Sequence, residues 1–234
     1  MQVFLKGNPT MNALVASLLA VALIAVSFSL FEPSMTRAAN PHDFTVDQTV
    51  GAEISFQTEA ADITMNGTIQ GITGGTSWGT TTFNVLTNNI NGYTVKINFA
   101  TATAMQGNNI ATDIDNFTSS GGASGQYDWS VAVGAAEFGY TVIGETEPTT
   151  IAQEFKDNGA DTCGGAFTGT VNYKCWFMAS DATTQTTIVD SSSPTPGTGA
   201  TSTLVFRIQA DNPVPSLESG TYTATATLTA AVKP

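Results

Sequence analysis

Few side chains of this sequence could carry out catalysis. The only histidine is His42, near the start of the chain, and a nucleophile needs a base within hydrogen-bond reach. Four glutamates are close in sequence, namely Glu137, Glu145, Glu147 and Glu154. Two such carboxylates could hydrolyse a glycosidic bond, but most of the four fall on predicted turns or strand ends, where solvated acids are expected. The sequence therefore predicts that the protein is not an enzyme.

Two groups of Asp and Asn residues offer oxygen ligands for calcium. One covers residues 113–116 and the other residues 157–161, and neither fits the EF-hand pattern. Asp and Asn also cap turns, because their side chains form hydrogen bonds with the nearby backbone. We favour this turn interpretation and predict no metal site and no cofactor, with calcium as the alternative.

An exposed tryptophan could serve as a platform for a sugar ring. Trp78 lies among glycines and is the best candidate for exposure, whereas Trp129 lies in an alternating segment and is expected in the core. Trp176 directly follows Cys175 and is expected to pack over a disulfide. Packing of Trp78 at a loop or strand edge is the simpler interpretation, so contact with a glycan at Trp78 is held as the alternative.

The two cysteines, Cys163 and Cys175, enclose a glycine-rich segment that suits a loop or an irregular hairpin. An even number of cysteines in an exported chain indicates a disulfide. Such a bridge would stabilise the fold by about 3 kcal/mol, because it restricts the unfolded chain. A metal site is disfavoured, since the C-x-x-C spacing and a neighbouring histidine are both missing.

The N-terminal segment, residues 1–39, predicts export. Lys6 is the only charge before an uncharged apolar run over residues 11–31. At about 1.5 Å per residue, a helix over this run would be long enough to span a bilayer, so it is a signal peptide or a membrane anchor. Small residues up to Ala39 offer a cleavage site. We therefore expect residues 40–234 to form one domain in the cell envelope or outside the cell.

The charge balance excludes nucleic acid as a partner. Seven Lys and Arg against 19 Asp and Glu give a net charge of −12, and only 11% of residues are charged. Such a surface cannot neutralise phosphates by counterion release, and it suits anionic lipid poorly. The expected partners are copies of the chain itself, other envelope proteins and glycans. The membrane is contacted only through residues 11–31, if they are retained.

Alternation of apolar and polar residues recurs along the exported part and predicts strands. The clearest covers residues 93–99, with Tyr93, Val95 and Ile97 on one face and polar side chains on the other. Further strands are predicted over residues 44–50, 52–58, 63–69, 77–87, 126–133 (Trp129 and Val133 inward), 138–143, 172–178, 184–189, 202–210 and 220–228, with one helical turn in residues 149–156. Because the strands have one polar face each, two sheets must share an apolar interior. This predicts an all-β, antiparallel two-sheet β-sandwich, immunoglobulin-like or jelly-roll-like, after an N-terminal hydrophobic helix.

Two stretches resemble secreted bacterial envelope proteins with an immunoglobulin-like β-sandwich. Residues 220–230 (GTYTATATLTA) are similar to the closing strand of bacterial immunoglobulin-like surface domains, where Gly-x-Tyr leads into alternating Thr and apolar residues. Residues 87–95 (TNNINGYTV) are similar to the Asn-Gly-Tyr hairpin of fimbrial and coat-type subunits. The resemblance implies a structural role at the cell surface. The chain lacks the W-x-L motif of wall-binding domains, and its cysteines lie later than those of chaperone-usher pilins.

We therefore expect an exported cell-surface structural protein, a filament or coat subunit. Residues 44–50 suggest how it assembles, since Phe44, Val46 and Val50 share the apolar face of a strand-like run. If this run does not pair within its own domain, it could complete a sheet edge of a neighbouring copy through main-chain hydrogen bonds. Otherwise it is the first strand of the same sandwich. The alternative function is a surface adhesin or carbohydrate-binding module that uses Trp78.

Overall fold

The computed structural model describes residues 9–30, 45–118, 125–144, 150–157, 160, 162–164, 174–181, 183–212 and 217–234. The chain divides into two compact units, Met1–Thr49 and Val50–Pro234. The first unit contains the hydrophobic helix, and the second contains all the strands.

The helix α1 covers Pro9–Leu30 and is rich in Ala and Leu, the residues that favour helix most. Pro9 is tolerated at its start, because the first N–H groups of a helix have no intrahelical partner. The hydroxyls of Ser17 and Ser27 donate to backbone carbonyls one turn earlier, so the serines add little polar surface. The structure describes side chains at residue 10 and over 13–27, and no helix among the described residues is long and apolar enough to span a membrane.

The second unit is an all-β sandwich, and Gln153–Phe155 form a short 3-10 helix within the predicted helical turn. Its strands are β1 Ile54–Thr58, β2 Gly75–Thr87, β3 Tyr93–Phe99, β4 Gln106–Asn108, β5 Asp115–Asn116, β6 Gln126–Tyr127, β7 Ala136–Gly144, β8 Cys175–Met178, β9 Thr186–Ser191, β10 Ala200–Ala210, β11 Thr221–Thr223 and β12 Ala226–Val232. The large sheet has the order β1-β2-β10-β7-β8-β6, with β5 beside β7, and the small sheet has the order β12-β3-β9. Strands β11 and β4 form a separate pair.

The core lies between the large and the small sheet. From the large sheet it receives the inward side chains of β2, β7 and β10, and from the small sheet those of β3 and β9. Phe99 of β3 meets Phe138 of β7 edge to face, with ring centroids 5.8 Å apart, so the contact joins the two sheets. Every pairing between strands is antiparallel except that of the short β5 with β7. The predicted antiparallel sandwich is therefore confirmed.

Several predicted strands are shorter or absent, and backbone geometry explains two of these errors. Residues 63–69 contribute only an isolated bridge at Asn66, because Gly67 has φ +86° and interrupts an extended chain. Residues 126–133 end as a strand after Tyr127, because Asp128 has φ +59°. Val133, expected to face inward, is 79% exposed.

The predicted strand over residues 220–228 is two strands with different partners. Strand β11 pairs with β4, whereas β12 pairs with β3 in the small sheet. The alternation of Thr with apolar residues continues through the break, so the sequence pattern does not reveal it. The predicted strand over residues 44–50 is also absent, because the described residues 45–50 lie in no strand.

Candidate functional site

The predicted carboxylate group does not assemble into a catalytic pair among the described residues. Glu137 is buried in the middle of the large sheet, 8% exposed, where its Oε2 accepts a hydrogen bond of 3.0 Å from the Thr118 N–H. This corrects its expected place on a solvated rim, since a backbone donor compensates its burial. Glu154 is exposed in the 3-10 helix. Glu145, Glu147 and His42 lie outside the described residues.

The first Asp and Asn group is occupied by backbone contacts. Asp113 Oδ1 accepts a hydrogen bond of 2.9 Å from the Gly107 N–H, and Asn116 Oδ1 accepts one of 3.0 Å from the Ala104 N–H. These contacts hold the loop between β4 and β5, as the turn interpretation requires. Of the second group, residues 158, 159 and 161 lie outside the described residues. The part of the chain that the structure describes holds no cluster of three His, Cys, Asp or Glu side chains that could bind a metal.

The predicted disulfide is confirmed. Cys163 and Cys175 are joined, with their Cα atoms 5.7 Å apart. Cys175 begins β8 and is fully buried, so the bridge ties Cys163 to the large sheet. A disulfide is typical of proteins that fold in oxidising compartments.

The three tryptophans of the chain come together on the outer face of the large sheet, the face opposite the core. Trp176 is the buried centre, 1% exposed, with its ring centroid 5.6 Å from that of Trp78 and 5.1 Å from that of Trp129. Trp129 also stacks on Phe117 at 4.2 Å. Trp129 is thus only partly buried, in a second apolar cluster rather than in the core between the sheets. Trp78 is 38% exposed, as the glycan hypothesis requires.

Arg207 of β10 lies among these rings and was not identified from the sequence. Its Cζ atom is 4.6 Å from the Trp78 ring centroid, 5.0 Å from that of Trp129 and 5.9 Å from that of Trp176. These distances are within the range of cation–π attraction. Arg207 and Trp78 are direct cross-strand partners on β10 and β2, which explains the closest approach. We call Arg207 and the three tryptophans the indole–arginine cluster.

A glycine makes room for the cluster. Gly139 of β7 is the partner of Arg207 on the other side of β10. A Cβ atom at Gly139 would lie 2.9 Å from Trp129 Cζ3 and 2.8 Å from Phe117 Cβ. Any larger residue would therefore push the stacked Trp129 and Phe117 off the sheet.

The Arg207 guanidinium has no carboxylate partner among the described residues. Its Nη2 donates a hydrogen bond of 2.7 Å to Gln209 Oε1, and its Nε is buried without an acceptor. The Trp129 Nε1 is also buried without an acceptor. Burial lowers the pKa of Arg207, because desolvation disfavours its charged form. By contrast, Lys174 and Lys233 form ion pairs with Asp128 and Asp190.

The predicted donor segment is unpaired among the described residues. Val46 is 80% exposed and Val50 79% exposed, although their alternation with polar residues is that of a strand. Phe44, the third residue of the predicted apolar face, lies outside the described residues. Strand donation requires a segment of this kind, with strand alternation and exposed apolar side chains.

Strand β12 offers a sheet edge. It pairs with β3 on one side and with no other described strand. The N–H of Ala100 donates to the Thr225 carbonyl, and the N–H of Lys233 donates to the Gly92 carbonyl. Because hydrogen-bonded residues alternate along an antiparallel strand, the backbone groups of the odd-numbered residues of β12 point toward β3. The backbone groups of the even-numbered residues, 226 to 232, therefore point away from the small sheet. None of them has a backbone partner among the described residues.

One residue in the sequence of β10 does indicate the cluster. Arg207 interrupts the apolar run of β10 between Phe206 and Ile208, and a lone cation in such a run needs partners. Its partners come from β2, β8 and a loop, so spacing along the chain could not identify them. No protein-family model matches this chain, and no curated protein is significantly similar to it. The resemblance to envelope β-sandwich proteins therefore stays an expectation.

Proposed function

We propose that this protein is an exported structural protein of the cell surface, a filament or coat subunit that assembles by strand complementation. The observation that carries the proposal is the state of residues 45–50, which have strand alternation, no strand partner among the described residues and two valines about four-fifths exposed. In an isolated subunit these valines lose the stabilisation that burial would give, roughly 1.5–3 kcal/mol for each side chain.

An acceptor for the segment is present in the same chain. The outward backbone groups of β12 can form a ladder with an added strand, and an exposed edge of this kind pairs readily with another chain. Behind this edge, Leu228 and Ala230 of β12 are only partly buried against the core. An added strand with Phe44, Val46 and Val50 on one face would extend the cover over these side chains.

The export part of the proposal rests on the N-terminal run and the disulfide. The apolar helix α1 follows a segment in which Lys6 is the only charge, as in secretory signals. The Cys163–Cys175 bridge suits the oxidising environment outside the cytoplasm. The intact mass of the native protein, taken without reductant, tests both features. A mass that starts at residue 39 or 40 supports processing, and a mass that retains residues 11–31 identifies an anchored domain.

Charge added to the apolar face of the segment tests assembly. The double variant Val46→Asp and Val50→Asp should leave a folded monomer that no longer forms high-mass assemblies, because the aspartates cannot be buried on a neighbour. The matched control, Thr45→Asp and Thr49→Asp, adds the same charge to the opposite face and should still assemble. Light scattering and electron microscopy measure assembly, and circular dichroism measures folding. Equal assembly of both variants, or no assembly of the unmodified chain, would contradict the proposal.

A second function, glycan binding at Trp78, is favoured by one observation. Trp78 keeps 38% of its surface exposed although it packs against Trp176 and Arg207. An exposed indole can stack on a sugar ring. Binding to a glycan array that disappears in Trp78→Ala, while circular dichroism shows that the variant is still folded, would support this function.

A further inference from the structure

Arg207 carries a half-buried positive charge in a strongly acidic protein. The chain carries seven Lys and Arg against 19 Asp and Glu, so acids are plentiful. Yet no acidic side chain among the described residues pairs with Arg207, whereas Lys174 and Lys233 each have an aspartate. A partly buried guanidinium normally has a carboxylate partner, because that pairing compensates its desolvation.

The guanidinium is held in one orientation by its neighbours. The Trp78 and Trp129 rings lie 4.6 and 5.0 Å from its Cζ atom, and Gln209 accepts from Nη2. No hydrogen bond joins Nη1 to another described residue, and the Arg207 side chain is half-buried, so part of it stays exposed. A fixed guanidinium donor loses little conformational entropy when it binds an acceptor.

The surroundings of this donor suit a sugar. Trp78 presents an exposed indole directly opposite Arg207 across the β2–β10 pair. Thr76 and Thr80 lie on the same face of β2, on either side of Trp78, and both are exposed. Their hydroxyls can donate to and accept from sugar hydroxyls, while the indole supplies the apolar contact.

We propose that the indole–arginine cluster binds an acidic saccharide, with the carboxylate of a uronic acid on Arg207 and its ring against Trp78. This inference rests on the second function above, glycan binding, and adds the class of sugar. It is independent of assembly through residues 44–50. Because the protein is strongly anionic overall, the attraction between Arg207 and the sugar carboxylate is local. Binding should weaken as added salt screens these two charges.

The experiment titrates the full chain with oligogalacturonate and follows tryptophan fluorescence and calorimetry. Three comparison probes are fully methyl-esterified oligogalacturonate, a neutral oligosaccharide of equal length and a polyglutamate peptide. We expect oligogalacturonate to bind most tightly of the four probes, with the affinity at least about tenfold lower for the methyl ester, since esterification removes the charge-assisted hydrogen bond. The comparison of the four probes uses only the unmodified chain, so it remains decisive if a variant misfolds.

Variants locate the site. Arg207→Gln should lower the affinity for oligogalacturonate at least about tenfold, and Arg207→Lys should lower it less, because it keeps the charge but not the planar fork. The matched control is Lys174→Gln, which removes a cation that lies 5.5 Å from the Tyr127 ring but is paired with Asp128. This control should bind like the unmodified chain.

Each of the other possible outcomes would contradict a different part of the inference. Equal binding of the neutral oligosaccharide would retain glycan binding but overturn the acidic class. Equal binding of polyglutamate would show that the site recognises carboxylates without selecting sugars. Binding unaffected by Arg207→Gln would place the ligand elsewhere. No binding to any of the probes would overturn the acidic-saccharide inference, whereas the glycan array decides the glycan function separately.

Discussion

Strands β3 and β7 face each other across the core, yet the burial of their outer faces differs. In β3, buried side chains alternate with half-buried ones along all seven residues. In β7, all nine residues are buried. The outer face of β7 is covered by the second apolar cluster, which contains Phe117, Trp176 and Val205. Burial therefore alternates in a strand with one covered face and is continuous in a strand with two, although the sequence of β7 still alternates from Glu137 to Val142.

The difference indicates where function can reside in this fold. The outer face of β3 carries Thr94, Lys96 and Asn98, which are polar and half-buried. The outer face around β7 holds an aromatic layer with an arginine at its border. The second layer contains all three tryptophans of the chain, and the glycan proposal assigns a role to this face.

The largest expected effect tests whether β7 has two sensitive faces. Ile143 lies on the outer face of β7 and is 8% exposed, so Ile143→Ala should lower the free energy of unfolding by about 2–5 kcal/mol. Thr94→Ala, on the outer face of β3, should change it by no more than about 0.5 kcal/mol. Ile97→Ala, on the inner face of β3, is the positive control. Urea unfolding measures all three, and an equal small effect at Ile143 and Thr94 would contradict the comparison.

A smaller effect is expected where the aromatic layer touches the backbone of β7. Gly139→Ala should destabilise the fold by about 1–3 kcal/mol and change the near-ultraviolet circular dichroism of the tryptophans, because the new methyl group would meet Trp129, Phe117 and a backbone carbonyl. Gly197→Ala is the matched control, since nothing lies within 4 Å of a Cβ there. If Gly139→Ala unfolds like the control, then the layer does not rest on β7 as described.

The alternation of apolar and polar residues and the number of cysteines were enough to predict the main features of the fold. The strand over residues 93–99, the sandwich and the Cys163–Cys175 bridge follow from alternation and cysteine count, and all three are present. The outer layer could not be predicted, because the four residues of the indole–arginine cluster come from four separate segments, each 31 or more positions from the next. Arg207 in β10 and Gly139 in β7 are single residues that indicate where the cluster lies. Neither residue indicates which side chains it contacts.

The smallest expected effect on the free energy of unfolding comes from the ionisation of Tyr140, which lies on the inner face of β7. Burial raises the pKa of Tyr140 well above its ordinary value, because the phenolate would be desolvated. Above pH 10 the unfolded chain loses this proton while the folded chain retains it, so the free energy of unfolding should fall as pH rises. At pH 11 the loss from this group is about 1.4 kcal/mol. Tyr140→Phe lacks the group and should show a shallower decline between pH 9 and pH 11 in urea unfolding. Other titrating groups act equally in both proteins, so parallel declines would show that Tyr140 is not shielded from solvent.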